Sequence, residues 1–444
     1  RGGPQAAGEG VSGDRVPGDA RGIRTAALGA AAVHAIVAGA AILAGIEGTS
    51  EWFDQKDYHL PVIERFAAEL PAPVLSDYRS ATTPLYHLLM AVFERVGAGG
   101  LVLHAVNLAF GIALVAVFTR FVARRTGVLP ALAAGCMLGL SPYVLSSSVW
   151  LTTDNLASLL LVLAFASSAG IACGCARMPV RCGAWAALWS LLAAGVRQIM
   201  LYTAAFPAAA VVARACAERR LPAIGASAAA SRAIVPAAAR VAAFVVAWGG
   251  LVPPSFREYH GGGANPATAP YVLALVAIWG SAAFCAVPGF VRGLFAPRAL
   301  IAAGLALVAA CAVPTNYVVH VRFGGVLWSV AARLPAPFER SLLIVPLAAV
   351  GAAAIVSYLS VWSRSDDRAG RGVGAFALLA LFGMTLAQTA NSQCFERYMQ
   401  PLVVVFCTIA AAAIAGRNAR AWPFALAAAV ALGLSAFNVF RLGG

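Results

Sequence analysis

The sequence predicts an all-α polytopic membrane protein of about thirteen transmembrane helices, and three observations predict it. Hydrophobic residues make up 61% of the 444 positions and charged residues only 11%. Mean hydropathy is +0.81, far outside the range of a soluble domain. Apolar runs of the roughly 20 residues that cross a bilayer recur along the chain, and the charges between them segregate by sign. Because the spans use up the length, a single membrane domain is expected over 23–444, with no sizeable soluble domain.

Hydropathy places the spans at 24–45, 99–121, 127–142, 155–173, 183–196, 199–215, 238–254, 268–290, 297–316, 341–361, 373–391, 398–415 and 421–440. The stretch 84–97 is too short to cross, carries Glu94 and Arg95, and is read as interfacial. With a cytoplasmic N-terminus, the inner segments hold 21 Lys/Arg against 6 Asp/Glu, and the outer segments hold 11 against 12. That is the positive-inside bias. The net charge of +14 therefore reports orientation rather than a nucleic-acid partner. The localisation implied is an integral membrane one: the endoplasmic reticulum membrane in a eukaryote, the plasma membrane in a bacterium.

Residues 1–22 are rich in Gly, Pro, Ala and charge without apolar periodicity, and read as a disordered cytoplasmic tail. The first apolar run is long for a signal-peptide core and reads as an uncleaved anchor. Of the nine cysteines, Cys173, Cys175 and Cys182 share an inner loop, while Cys394 alone is expected outside, so no disulfide framework is implied.

The first outer loop, 46–98, holds the densest chemistry. Asp54 and Asp57 follow the first span directly. From Tyr58 to Leu70 the apolar residues Val62, Ile63, Phe66, Ala67 and Leu70 recur at helical spacing, with Glu64, Arg65 and Glu69 opposite. This predicts a helix lying on the membrane surface, with Pro61 in its first turn. Asp57 then reads either as that helix's N-cap or as a functional carboxylate; Asp54 has no such local duty. His59 caps, packs or binds an anion. Pro71-Ala-Pro73 ends the helix, Ser76-Asp77-Tyr78 makes a turn, and Thr82-Thr83-Pro84 opens a second surface helix with Leu85, Leu88, Leu89 and Val92 on its apolar side. Two such helices form a shelf on which an aqueous acceptor can meet a lipid-borne donor.

These motifs resemble the membrane glycosyltransferases of the GT-C type, which carry an acidic residue in the first outer loop followed by surface helices. Within that group the chain is similar to the dolichyl-phosphate-glucose alpha-1,2-glucosyltransferases of N-glycan precursor assembly. Tyr58-His59-Leu60-Pro61, Thr82-Thr83-Pro84, Arg197-Gln198, His260-Gly261-Gly262-Gly263 and Arg397-Tyr398-Met399-Gln400-Pro401 match that family's motifs in its order. The family's acidic pair is adjacent, whereas Gln55 and Lys56 separate Asp54 from Asp57, and the outer loops here are shorter. The resemblance implies transfer of a hexose, expected to be glucose, from a polyprenyl- or dolichyl-phosphate donor to a lipid-linked or surface glycan. A beta-linked donor giving an alpha product implies inversion.

Such a reaction needs few groups. Lipid phosphate is already a reasonable leaving group, so only the acceptor hydroxyl needs a base, for which Asp54 or Asp57 is the candidate. The donor phosphate needs cations, and Arg197, Arg322 and Arg397 lie on the outer side with the bidentate geometry for it. His260 and His320 are further candidates at the phosphate. His59, Gln198, Asp154 and Tyr398 complete the expected substrate contacts; Asp154 either caps the helix it opens or orients the sugar. The acidic outer loops permit a divalent cation, but no ligand spacing demands one. The rival reading is a transporter or flippase of lipid-linked sugars, which would be marked by inverted repeats or interrupted helices around midplane charges.

Overall fold

The computed structural model describes residues 20–175, 179–220, 234–258, 263–318 and 321–439. Nearly all secondary structure is helical: α1 Ala20–Leu43, α2 Ser50–Asp54, α3 Leu60–Glu69, α4 Leu85–Arg95, α5 Gly99–Thr126, α6 Val128–Gly139, α7 Pro142–Val149, α8 Asp154–Ala172, α9 Pro179–Val196, α10 Phe206–Glu218, α11 Ile234–Trp248, α12 Thr268–Phe284, α13 Phe290–Leu294, α14 Pro297–Cys311, α15 Val326–Ala331, α16 Ile344–Trp362, α17 Arg368–Thr389, α18 Glu396–Ala415 and α19 Trp422–Val439. A two-stranded parallel pair, β1 Arg322–Gly324 and β2 Gln393–Phe395, is in register Arg322 to Gln393 and Gly324 to Phe395.

Among the described residues, seven helices are long and apolar enough to span a membrane, and eight if the α6–α7 pair, bent by 61°, counts as one span. Five further apolar helices, α9, α11, α12, α14 and α19, are at most 18 residues long and fall outside that set. At about 1.5 Å per residue they are shorter than the roughly 30 Å hydrocarbon layer. Every stretch expected to cross thus carries an apolar helix, and helix length and composition support seven or eight of the thirteen crossings. Of the expected tail, residues 1–19 lie outside the described ones, and 20–22 already belong to α1.

The centre of the bundle is α18. Its residues from Leu402 to Ala413 are all buried, as befits a helix apolar on every side. Pro401 sits one turn inside it and removes the N–H that would bond the Arg397 carbonyl. Phe406 of α18 meets Phe165 of α8 and Phe206 of α10, and both of these meet Phe376 of α17, with the Phe165 and Phe376 rings stacked at 4.2 Å. Glycine lets other helices cross closely: a Cβ on Gly351 of α16 would lie 1.9 Å from the Leu273 carbonyl oxygen of α12.

The loop between α1 and α5 departs from its expected form in two ways. Its helix starts at Ser50 rather than Tyr58, capped by Thr49, whose side chain accepts from the Trp52 N–H at 3.1 Å. A π turn over Gln55–His59 joins α2 to α3. Asp57 is consequently an exposed residue within that turn and caps nothing. Pro61 falls just past the extra residue of the π turn, which relieves the clash a proline makes inside a regular helix. The second departure concerns the stripe of Val62, Ile63, Phe66 and Ala67, which is buried against protein rather than lipid: Val62, Phe66 and Ala67 pack with Tyr78, Ala91 and Trp248, and Ile63 joins the main core. On α4 the packed side is Tyr86, His87, Met90 and Ala91, while Leu89 and Val92 stay exposed and are the residues available to the bilayer interface.

Candidate active site

Three interhelical segments are tied into one cap. The Trp248 indole donates to the Leu75 carbonyl at 2.9 Å, the Ser255 N–H donates to Asp77 Oδ1 at 2.8 Å, and the Tyr58 and Phe256 rings meet edge to face. The Thr83 hydroxyl donates to the Ala194 carbonyl on α9 at 2.8 Å. Gln198 gives its amide protons to the carbonyls of Ala81 (2.6 Å) and Leu251 (3.0 Å). Expected to touch substrate, Gln198 is thus committed at its donor end to holding two loops together.

Beneath this cap, residues from four distant parts of the sequence converge. Asp54 at the end of α2 forms an ion pair with Arg397 in the first turn of α18, their side chains 22% and 19% exposed. Arg397 Nη2 donates to the Tyr398 hydroxyl at 3.0 Å. Asp154 at the start of α8 pairs with Arg197, which precedes the short 3₁₀ turn leading to α10. Arg197 also lies over the Tyr398 ring, 4.1 Å from its centroid, and Arg397 lies 5.0 Å from the same centroid. Tyr398 therefore sits between two guanidinium groups, each held by an aspartate from another helix. Asp154 takes up this pairing in place of a helix cap.

A cavity of about 410 Å³ opens beside the Asp54–Arg397 pair, lined also by Glu51, Tyr143, Gly325 and Asn438. Next to the lining residues Phe395 and Arg397, Glu396 is buried and accepts from the Leu327 N–H at 2.8 Å, while the Tyr143 hydroxyl accepts from the Val326 N–H at 2.7 Å. Gly325, at φ +134°, makes that turn possible: a Cβ there would lie 2.3 Å from Glu396 Cβ and 2.7 Å from the Tyr143 hydroxyl. Glu396 thus anchors the wall, and the partner of Arg397 is Asp54, 343 residues away in sequence.

His59 is buried under the shelf, its Nδ1 3.0 Å from His87 Nε2 and its ring stacked on that of His87. Burial, aided by the positive charges of Arg397 and Arg197, lowers the His59 pKa to about 3. Burial also holds His87 well below the usual histidine range. The two rings therefore form a neutral pair, one nitrogen donating to the other.

Of the expected site residues, the fold brings together Asp54, Arg397, Tyr398, Arg197 and Asp154. Asp57 is exposed, and Arg322 is exposed on β1 next to the wall. His260 and His320 lie outside the described residues. Among the described residues no group of three His, Cys, Asp or Glu side chains is placed to hold a metal ion. The sequence reading missed Glu51, Tyr143 and Glu396. Only Glu51 had a local signal, since a helix starting at Thr49 sets it three residues before Asp54, on the same face.

No family model and no curated protein matches this chain. Among solved structures, ArnT from Cupriavidus metallidurans in the apo state is similar to it at 14% identity and a TM-score of 0.36, over 90% of this chain and 77% of that one. At that level of likeness, function has to be argued from the side chains themselves.

Proposed function

We propose that this protein is a membrane glycosyltransferase of the GT-C type. It moves a hexose, glucose by the resemblance of its motifs, from a polyprenyl- or dolichyl-phosphate donor to a lipid-linked or surface glycan at the outer or lumenal face. The observation that carries this reading is the convergence of Asp54, Arg397, Tyr398, Arg197 and Asp154, with Asp54 and Arg397 lining a cavity. The phosphodiester of the donor, arriving at Arg397, competes with Asp54 for the guanidinium fork, and a second guanidinium lies across Tyr398 to share its charge. Asp54, displaced from Arg397, is then available to the acceptor hydroxyl and takes its proton as the new glycosidic C–O bond forms. The bond from the anomeric carbon to the phosphate oxygen breaks, and the electron pair leaves with the lipid phosphate. The reading gives Asp57, out in the π turn, no part in this step.

The test is transfer from radiolabelled polyprenyl-phosphate glucose to a mixed lipid-linked glycan acceptor by purified protein. Asp54→Asn is expected to lower turnover by about 10²- to 10⁴-fold, the usual contribution of a general base. Asp57→Asn is expected to leave it near the native rate. Loss on Asp57→Asn alone would move the base assignment. A second reading, a flippase of lipid-linked sugars, is favoured by the broken α6–α7 helix and by the Asp154–Arg197 pair within the bundle. Labelled lipid crossing a vesicle bilayer with no transfer by the native chain would establish it instead.

A further inference from the structure

We propose that Glu51 binds the acceptor: its carboxyl holds the sugar hydroxyl next to the one that Asp54 deprotonates, and so selects which glycan end is used. This inference rests on the transferase reading above. Glu51 and Asp54 are three residues apart on α2, on one face of the helix, and both line the cavity with Arg397. Neighbouring hydroxyls of a sugar ring are one carbon–carbon bond apart, so carboxyls on adjacent turns can take one each.

The local pattern of α2 runs against simple burial. Glu51 is 4% exposed, while Phe53 on the same short helix is 50% exposed. A helix that only had to dock would turn Phe53 inward and leave the carboxylate in solvent, since a buried carboxyl costs free energy unless it finds partners. Within the protein, Glu51 Oε1 accepts from the Ser146 hydroxyl of α7 at 3.3 Å, which fixes the carboxyl at the cavity wall. Burial raises its pKa, opposed by the charge of Arg397. A donor phosphate on Arg397 weakens that opposition and moves Glu51 toward the neutral acid. A neutral carboxyl both donates and accepts, as a sugar hydroxyl does, so the acceptor site is completed once the donor is in place. A site built to hydrogen-bond a hydroxyl also discriminates strongly against an acceptor that lacks it.

The experiment uses the full chain with saturating polyprenyl-phosphate glucose and varied acceptor. Glu51→Leu is expected to raise the acceptor KM by about 10-fold or more, with kcat and the donor KM within about threefold of native. Glu51→Gln, which keeps both hydrogen-bonding functions, is expected to restore most of the loss. Phe53→Ala, on the exposed side of the same helix, is the control for a purely structural role, and its acceptor KM is expected to stay near native. An acceptor lacking the hydroxyl adjacent to the attacking one gives a test on the native chain alone: its KM is expected to rise as far as that of Glu51→Leu with the intact acceptor. The inference fails if native protein uses this deoxy acceptor unchanged, if Phe53→Ala reproduces Glu51→Leu, or if the loss falls on the donor KM. Absence of any native transfer overturns the transferase reading, and this assignment with it.

Discussion

At the scale of single residues, the site is a set of charges that are costly to bury and are therefore held in pairs. Asp54 with Arg397 and Asp154 with Arg197 satisfy each other across helices, and Tyr398 accepts the faces of both guanidiniums. Arg397→Ala is expected to do more damage than loss of one phosphate contact, because it leaves Asp54 without its partner. The His59–His87 pair gives a pH dependence whose sign follows from burial. Both rings are neutral when folded, and His59 gains a proton only near pH 3, whereas an unfolded histidine gains it near 6.5. Below pH 6.5 the unfolded chain binds protons that the folded one cannot, so stability falls as pH drops toward 3, by up to ~1.4 kcal/mol per pH unit for each ring. His59→Gln is expected to flatten the fall of melting temperature between pH 6.5 and 4. A slope equal to native would place the acid sensitivity elsewhere.

At the scale of elements, small residues and breaks do the positioning. The π turn at Gln55–His59 lets one continuous helix aim Asp54 at α18 while Gln55 Oε1 receives the Leu151 N–H at 2.7 Å and His59 turns toward α4. The bend after α6, with Pro142 opening α7, brings Tyr143 to the cavity wall. Close helix crossings fix the rest. Gly351→Val is expected to cost about 1–3 kcal/mol, the usual range for overpacking, because the Leu273 carbonyl leaves no room for a Cβ. Gly304→Ala, on α14 with nothing within 4 Å of a Cβ, is expected to be neutral or mildly stabilising. Thermal melts of the two variants in one detergent check the contrast, and equal shifts would argue against the tight α12–α16 crossing.

At the scale of the whole molecule, the distribution of charge predicts which side of the bilayer the cavity faces. The expected topology puts the first outer loop opposite the arginine-rich segments around Cys216. Cysteine labelling tests it: in an otherwise cysteine-free chain, Ser76→Cys is expected to react with an impermeant maleimide from the outer or lumenal side. Native Cys216, exposed on α10, is expected to react only after permeabilisation. The opposite pattern would turn the cavity to the cytosol and exclude a lumenal donor.

Composition and period alone determined that the chain is helical and membrane-embedded, where each apolar helix lies, and that 60–69 presents Val62, Ile63 and Phe66 on one side. These properties are local: they depend on apolar runs, helical spacing and charge between spans. Which way that stripe faces was not local, and it packs on Tyr78 and Trp248 rather than on lipid. Nor was the difference in placement between Asp54 and Asp57. Both are aspartates on one loop, but only the π turn and the position of α18 bring Asp54 to Arg397 and leave Asp57 outside. Glu51 and Tyr143 were hidden for the same reason, since a side chain's role in the cavity is set by partners 90 or more residues away. Only the tertiary structure pairs those charges, because inside a protein the cost of burying a charge is met by whichever opposite charge the fold brings near.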